Sequence, residues 1–302
     1  MTTVYYSLTA DADGTRERQW ARSVQSLRRY NGSIPVVLCL YGGASAATFA
    51  VAVEAGVRVV SMGEYPAALG DIPPHWRAAL VSNPTLHKLL SLRGLDGAGS
   101  LLYLDCDTYF FRDVAGLFAR YDGRDFYARE EPLTLRSEQG RDWTYIDEDA
   151  LAGLAAAEGL VTVPPYNTGV MLLGAALART LVGLLDDFVW YAWRLLLGAC
   201  LWRPDLVEDP SLASFVLGQS GTGEQRLAMP YPAASLWIVE QIATWLTLGR
   251  IPGLAHDVLR RDDVAQNGEC SAEPGARLPG LILAHYFTSG EARFFAGLDG
   301  AR

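Results

Sequence analysis

The stretch Leu101-Leu102-Tyr103-Leu104-Asp105-Cys106-Asp107-Thr108 decides how the rest of the chain is interpreted. Its first four residues predict a strand buried on both faces, and two carboxylates follow directly where that strand ends. Residues two apart point to the same side of an extended chain, so Asp105 and Asp107 face one ligand. In open α/β sheets, ligands bind at the carboxyl ends of the strands. We therefore expect Asp105 and Asp107 to bind a divalent cation, Mn²⁺ or Mg²⁺.

The segments around this strand alternate between strand and helix patterns. Apolar runs predict strands at residues 4–8, 34–41, 57–60, 126–128 and 168–173. Helical spacing predicts helices that end near Asn31 and that span 46–55, 83–92 and 149–158. Such alternation is typical of a parallel sheet covered by helices. We expect a single α/β domain over residues 1–302, with a mostly parallel, Rossmann-like central sheet and an irregular C-terminal portion.

The composition favours a globular protein that does not bind nucleic acid. Half of the 302 residues are hydrophobic and a fifth are charged, which argues against disorder. The formal net charge is −9, whereas a nucleic-acid backbone requires a basic face. A phosphate group must therefore be bound by local features of the fold. Lys88 is the only lysine in the chain, which makes it a candidate for such a site.

The cysteines and the apolar segments indicate in which cellular compartment the protein is expected. The four cysteines are far apart, which argues against zinc and thioredoxin-like sites and indicates a reducing compartment. The first residues lack the pattern of a signal peptide, and no window is long and apolar enough for a transmembrane helix. A long apolar helix is predicted over residues 181–201, as a core helix or as a peripheral membrane or subunit contact. We expect a cytoplasmic protein.

Two segments resemble one family of enzymes. The Asp105-Cys106-Asp107 segment resembles the DxD motif of glycosyltransferases with the nucleotide-diphospho-sugar transferase (GT-A) fold. Downstream, Tyr166-Asn167-Thr168-Gly169-Val170-Met171-Leu172-Leu173 resembles the FNSGVLL strand of the family-8-type enzymes. In that family the Asn contacts an acceptor or donor sugar beside the reaction centre. The resemblance thus implies this role for Asn167.

Two further segments are similar to the same family in the expected order. The run Trp237-Ile238-Val239-Glu240-Gln241-Ile242 is similar to its DQD helix start, with Glu240 in place of the first Asp. The family's Gln lies near the anomeric carbon, which implies that role for Gln241. Residues 284–293 are similar to its H-x-x-G-x-x-K-P-W motif, although the His-to-Gly gap is two residues longer and no Pro-Trp follows. The resemblance implies that His285 is the third metal ligand and that Arg293 neutralises diphosphate.

The remaining site residues are also implied by the resemblance. Lys88 precedes the DxD motif by seventeen residues, close to the spacing of a donor-binding basic residue in the family. Glu130 follows the strand at 126–128, where the family has an acidic residue that contacts the donor sugar. In the loop after the first strand, the family holds the nucleotide base, which implies a donor-binding role for Ser7, Thr9 and Asp11.

The implied activity is transfer of a sugar from a nucleotide diphosphate, with a UDP-sugar favoured, to an acceptor that the sequence does not identify. Charge builds on the departing diphosphate, and the metal with Lys88 and Arg293 would stabilise it where it forms. Family-8-type enzymes retain the anomeric configuration, so the acceptor hydroxyl would attack on the face that the diphosphate leaves. Gln241 and Glu130 would position the sugar.

Three other interpretations fit parts of the sequence. A haloacid-dehalogenase-type phosphatase also has a DxD after a strand, but it requires Thr or Val where this chain has Tyr109. A sugar nucleotidyltransferase has a glycine-rich signature that residues 14–16 match only in part. A sugar-nucleotide-binding protein without catalytic activity would share the entire site. An assay for UDP released from UDP-sugars in the presence of manganese separates this last case from an enzyme.

Overall fold

The computed structural model describes residues 2–63, 84–95, 99–131, 134–136, 142–144, 148–196, 236–266 and 280–285. Twelve strands lie within these ranges: β1 Thr3–Thr9, β2 Val36–Tyr41, β3 Arg58–Met62, β4 Leu101–Leu104, β5 Thr108–Phe110, β6 Phe126–Glu130, β7 Thr134–Arg136, β8 Asp142–Thr144, β9 Tyr166–Leu173, β10 His256–Val258, β11 Val264–Ala265 and β12 Leu283–His285.

Eight α-helices lie within the same described ranges: α1 Thr15–Tyr30, α2 Ala46–Glu54, α3 His87–Leu90, α4 Ala115–Arg120, α5 Glu148–Ala157, α6 Ala175–Val182, α7 Leu185–Leu196 and α8 Leu236–Gly249. α1 is amphipathic, and its predicted apolar face is buried through Trp20, Val24 and Leu27. α3 is a single turn between two short 3₁₀ segments, Pro84–Leu86 and Ser91–Gly94.

The central sheet has seven strands in the order β10-β6-β9-β4-β1-β2-β3. β9 runs antiparallel to both of its neighbours, β4 and β6, and the other pairs are parallel. The predicted α/β fold around a mostly parallel sheet is thus confirmed. A smaller sheet, β11-β12-β5, joins the C-terminal part of the described chain to the segment after the DxD motif.

Side chains of the central strands alternate between two buried faces. Tyr5 and Tyr103 lie in one apolar cluster, whereas Tyr6 and Leu104 lie in the other. Both faces of β1 and β4 are therefore covered, which explains their continuous apolar sequences. This alternation also determines which residues beyond the strand ends share a face with Tyr103.

The predicted long helix at 181–201 was wrong in its extent. α6 ends at Val182 and a new helix, α7, begins at Leu185, because the chain turns at Gly183. Residues 197–201 lie outside the described residues. Phe188 and Val189 of α7 are buried, while Trp190 is 44% exposed. Across the ranges that the structure describes, no helix has both the length and the apolar character needed to cross a membrane.

Candidate metal and donor site

The three predicted metal ligands lie together at one edge of the central sheet. Asp105 and Asp107 follow β4, and His285 is the last residue of β12. β12 pairs antiparallel with β5 so that His285 lies opposite Thr108, next to Asp107. His285 Nε2 is 3.4 Å from Asp105 Oδ2 and 3.3 Å from Asp107 Oδ1. One potential ligand atom from each residue lies within 4.8 Å of the others.

Gly169 provides the space for this imidazole. It lies on β9, and a Cβ built on it would be 2.5 Å from both ring nitrogens of His285. Its carbonyl oxygen accepts a hydrogen bond of 2.8 Å from the backbone N–H of Asp105. The glycine of the Asn-Thr-Gly segment is therefore required by close packing, because any side chain there would displace the histidine.

His285 is electrostatically coupled to the two carboxylates. Burial would lower the pKa of its imidazole, but Asp107 and Asp105 outweigh this effect and raise the pKa to about 9. In the metal-free protein His285 is therefore protonated at neutral pH. Burial would raise the pKa of Asp105, but Lys88 and His285 hold it well below its usual range. Asp105 is thus an ionised carboxylate.

Lys88 is buried and makes three polar contacts. Its ammonium group donates to Asp105 Oδ2 at 3.0 Å and to Thr168 Oγ1 at 3.3 Å, and it lies 3.4 Å from Glu240 Oε2. Burial alone would lower the pKa of Lys88, but Asp105 and Glu240 raise it above its ordinary value. The single lysine of the chain is therefore charged and pairs with a predicted metal ligand.

Glu240 is fully buried, and its carboxylate is bound by neighbouring side chains. Thr168 donates to Oε2 at 2.7 Å and Thr244 donates to Oε1 at 3.1 Å. Burial raises the pKa of Glu240, although Lys88 opposes this rise. Glu240 lies behind Lys88 and links α8 to β9.

Gln241 differs from Glu240 although the two are adjacent. Its side chain is 5% exposed, and its carbonyl oxygen Oε1 has no hydrogen-bond partner among the described residues. A buried amide oxygen without a partner carries a free-energy cost. Gln241 is thus free to accept a hydrogen bond from a ligand.

Asn167 is held by a carboxylate that the sequence analysis missed. Its amide donates to Glu131 Oε2 at 2.7 Å, and its Oδ1 accepts a bond of 2.9 Å from the N–H of Gly169. Glu131 is buried, whereas Glu130, the residue selected from the sequence, is exposed. The register of β6 against β9 shifts after Ala128, and simple alternation along the strand cannot anticipate this shift.

The three residues predicted for the loop after the first strand differ in position and in partners: Ser7 and Thr9 belong to β1 itself, because this strand extends to Thr9, and only Asp11 follows it. Ser7 Oγ is 3.2 Å from the Tyr103 hydroxyl, and Thr9 Oγ1 is 2.7 Å from Nδ1 of His87. Asp11 accepts a hydrogen bond from the backbone N–H of Arg16 at 3.2 Å, near the start of α1. Ser7 and Thr9 lie at the same sheet edge as the DxD motif, because β1 and β4 are parallel neighbours.

His87 is a second residue that sequence reasoning missed. It is buried, and its ring stacks on Tyr41 with 3.7 Å between ring centroids. The only signal for His87 in the sequence is its position next to Lys88.

Arg293, which the family resemblance implies as a diphosphate-binding residue, lies outside the described residues.

Comparison with known proteins identifies the fold. No protein-family model matches the sequence, and no curated protein is similar to it. The structure is similar to the bifunctional glycosyltransferase WbbM, with TM-score 0.51 and 10% identity over 99% of this chain and 44% of that one. It is also similar to an active-site mutant of LgtC, with TM-score 0.50 and 13% identity over 99% of this chain and 95% of that one. The chain spans less than half of WbbM but nearly all of LgtC. This protein therefore has the GT-A fold of these glycosyltransferases.

Proposed function

We propose that the protein is a metal-dependent glycosyltransferase that moves a sugar from a nucleotide diphosphate, favouring a UDP-sugar, to an acceptor of unknown identity. The observation that carries this proposal is the convergence of Asp105, Asp107 and His285 at the carboxyl end of β4. Ligands bind at such strand ends in open α/β sheets. The GT-A fold is consistent with this activity.

The three residues fit a divalent cation, Mn²⁺ or Mg²⁺. Two carboxylates and an imidazole supply ligand atoms within 4.8 Å of one another, and Gly169 leaves room for the ring. Carboxylates suit Mn²⁺ and Mg²⁺, and imidazole is a common ligand for transition metals. When bound, the cation would offset the negative charge that develops on the departing diphosphate.

Charged residues beside the metal site would assist the departure of the diphosphate. Lys88 is charged and lies 3.0 Å from Asp105, and we propose that its ammonium group contacts the phosphate groups of a donor. Glu240 would keep Lys88 in place from the buried side. Arg293, implied by the family resemblance, is proposed as a second cation for the diphosphate.

Polar groups of β9 and α8 would position the transferred sugar. The unpartnered Oε1 of Gln241 offers an acceptor to a sugar hydroxyl. Asn167 of β9 and Glu131 form a buried hydrogen-bonded pair, and the exposed Glu130 is proposed as an additional contact to the sugar. Ser7, Thr9 and Asp11 would bind the nucleoside. We propose retention of the anomeric configuration, with attack from the face that the diphosphate leaves.

The experiment that tests the proposal is an assay for free UDP. It uses a panel of UDP-sugars, with Mn²⁺ in excess over the donor. The matched control is Asp107→Asn, which keeps the side-chain shape but removes a charge. Because the acceptor is not identified, water takes its place in this assay, and the donor is hydrolysed to UDP and free sugar. Release of UDP by the wild type and its loss in the control supports the proposal. A protein that binds the donor without releasing UDP would instead be a sugar-nucleotide-binding protein.

A thermal-shift panel identifies the preferred nucleotide. A ligand that binds only the folded state raises stability by RT ln(1 + [L]/Kd). UDP, GDP, ADP and CDP are compared with and without Mn²⁺, and we expect the largest shift for UDP with metal. The GT-A fold leaves the phosphatase alternative without support, since that alternative rested on the DxD segment alone.

Localisation is proposed from side-chain chemistry. Cys39 and Cys106 carry free thiols, which fits a reducing compartment such as the cytoplasm. Trp190 of α7 is half-exposed and forms a pair with Trp193 at a centroid distance of 4.8 Å. Since Trp193 packs against the hydrophobic core, we propose the exposed Trp190 as the point of peripheral contact with a membrane surface.

A further inference from the structure

Tyr103 contacts one oxygen of Asp105 and leaves the other to the metal site. Its hydroxyl donates to Asp105 Oδ1 at 2.5 Å. Oδ2 of the same carboxylate faces Lys88 at 3.0 Å and His285 Nε2 at 3.4 Å. The two oxygens of this carboxylate therefore have different surroundings. Hydrogen bonds to a carboxylate at this length are among the strong ones in proteins.

The tyrosine is in turn fixed by its own surroundings. Tyr103 is 1% exposed, and its ring packs against Tyr5 with 5.1 Å between centroids. The Lys88 ammonium lies 5.8 Å from the centre of its ring. Residues two apart share a face of an extended chain, which is why Tyr103 reaches Asp105.

The direction of the hydrogen bonds follows from the chemistry of the groups. An ionised carboxylate can only accept, so Tyr103 must give its single proton to Asp105. The hydroxyl of Ser7, 3.2 Å away, must then donate to the Tyr103 oxygen. The chain of bonds runs from Ser7 through Tyr103 to Asp105. It links the end of β1 to the metal site across two parallel strands.

We propose that Tyr103 is a positioning residue that restricts Asp105 to a single oxygen, Oδ2, for metal binding and thereby sets the preference of the site among divalent cations. A carboxylate limited to one oxygen suits Mn²⁺ or Mg²⁺, whose coordination is compact. Ca²⁺ takes six to eight oxygen ligands and often binds both oxygens of a carboxylate. The hydrogen bond from Tyr103 therefore disfavours Ca²⁺.

The test measures the binding of metal ions alone, by titration calorimetry with Mn²⁺ and with Ca²⁺, for the full chain. In Tyr103→Phe we expect the ratio Kd(Ca²⁺)/Kd(Mn²⁺) to fall about tenfold, since a hydrogen bond to a charged group is worth about that factor. General loosening of the fold would weaken both ions alike and leave the ratio unchanged. The ratio therefore separates a positioning role from a structural one.

The matched control is Tyr5→Phe, which removes a buried hydroxyl whose contact is the carbonyl oxygen of Lys88 at 3.4 Å. In Tyr5→Phe the ratio Kd(Ca²⁺)/Kd(Mn²⁺) should stay within about twofold of the wild-type ratio. If Tyr103→Phe fails to fold, Ser7→Ala is measured instead. It removes the donor to the Tyr103 hydroxyl and should lower the ratio in the same direction by a smaller factor.

This inference rests on the proposed metal site, and the outcomes separate the two. A wild type without saturable Mn²⁺ binding overturns the metal site and this inference with it. A wild type that binds Mn²⁺, together with an unchanged ratio in Tyr103→Phe, overturns only the role of Tyr103. A lowered ratio in Tyr103→Phe but not in Tyr5→Phe supports it.

Discussion

Gly169 lies against the imidazole of His285, so close that a Cβ on the glycine would be 2.5 Å from both ring nitrogens. We expect Gly169→Ala to displace the ring and to weaken Mn²⁺ binding about tenfold or more, since overpacking a filled site costs about 1–3 kcal/mol. Titration calorimetry measures this change. The control is Gly153→Ala on α5, where a Cβ meets nothing within 4 Å. Equal metal affinity in both variants would contradict the role of Gly169.

Asp107→Ala should abolish metal-dependent nucleotide binding. The substitution removes a ligand from a site that must offset the charges of a diphosphate. UDP is titrated with and without Mn²⁺, and the enhancement by metal should disappear. The same substitution should also abolish UDP release from the donor. A variant that still shows the full metal enhancement would exclude Asp107 as a ligand.

Gln241→Ala should show the opposite pattern. Its amide oxygen is proposed to contact the transferred sugar and not the diphosphate, so UDP affinity should stay near the wild-type value. Turnover should fall by about 10²–10³ if the contact stabilises developing charge. kcat and kcat/KM would then fall together. If Gln241→Ala and Asp107→Ala lose nucleotide affinity equally, Gln241 has been assigned the wrong role.

Metal affinity should depend on pH through His285. The imidazole must lose its proton to bind a metal, and its pKa in the metal-free protein is about 9. Affinity for Mn²⁺ should therefore rise as pH increases from 7 towards 9, by up to about tenfold per pH unit, and level off above that value. Each bound ion should release close to one proton at pH 7.5, which calorimetry in buffers of different ionisation enthalpy measures. Affinity that is constant with pH would show that His285 is not a ligand.

Lys88→Met should destabilise the fold. It leaves Glu240 and Asp105 without their shared cation, and removal of one partner from a buried pair costs about 3–5 kcal/mol. Chemical denaturation of the metal-free protein measures this loss, and Lys88→Met combined with Glu240→Gln should recover part of it. As the control, Arg250→Ala breaks the half-exposed pair with Asp187 and should cost less than about 1 kcal/mol. A loss below about 1 kcal/mol for Lys88→Met would contradict this prediction, because it would equal that of an exposed pair.

The sequence predicted the parts of the fold that depend on local pattern. The apolar run at 101–104 identified β4, and helical spacing identified α1 and α5, because each pattern reflects the burial of one element. The antiparallel direction of β9 was not predictable in this way, since strand direction depends on partners distant in the chain. The split between α6 and α7 was missed, because Gly183 lies within an otherwise continuous apolar run.

The residues of the candidate site that lie in a recognisable sequence motif could be predicted from the sequence. The DxD motif and the histidine after an apolar run indicate Asp105, Asp107 and His285, and the structure brings these three residues together. The sequence does not indicate Glu131 or Tyr103. The register of β6 against β9 shifts after Ala128, so alternation along the strand does not predict which of Glu130 and Glu131 is buried. A tyrosine inside an apolar run has the pattern of a core residue, although Tyr103 donates a hydrogen bond to Asp105. Contacts of this kind arise from tertiary packing, which leaves no periodic signal in a sequence.

The position of Lys88 makes the site unusually easy to observe. Because this is the only lysine in the chain, isotope labelling of lysine introduces the signals of a single side chain. These signals arise from a side chain whose ammonium group lies 3.0 Å from a carboxylate of the candidate metal site. A spectroscopist could thus follow the binding of metal and nucleotide beside the candidate site without overlap from any other lysine side chain.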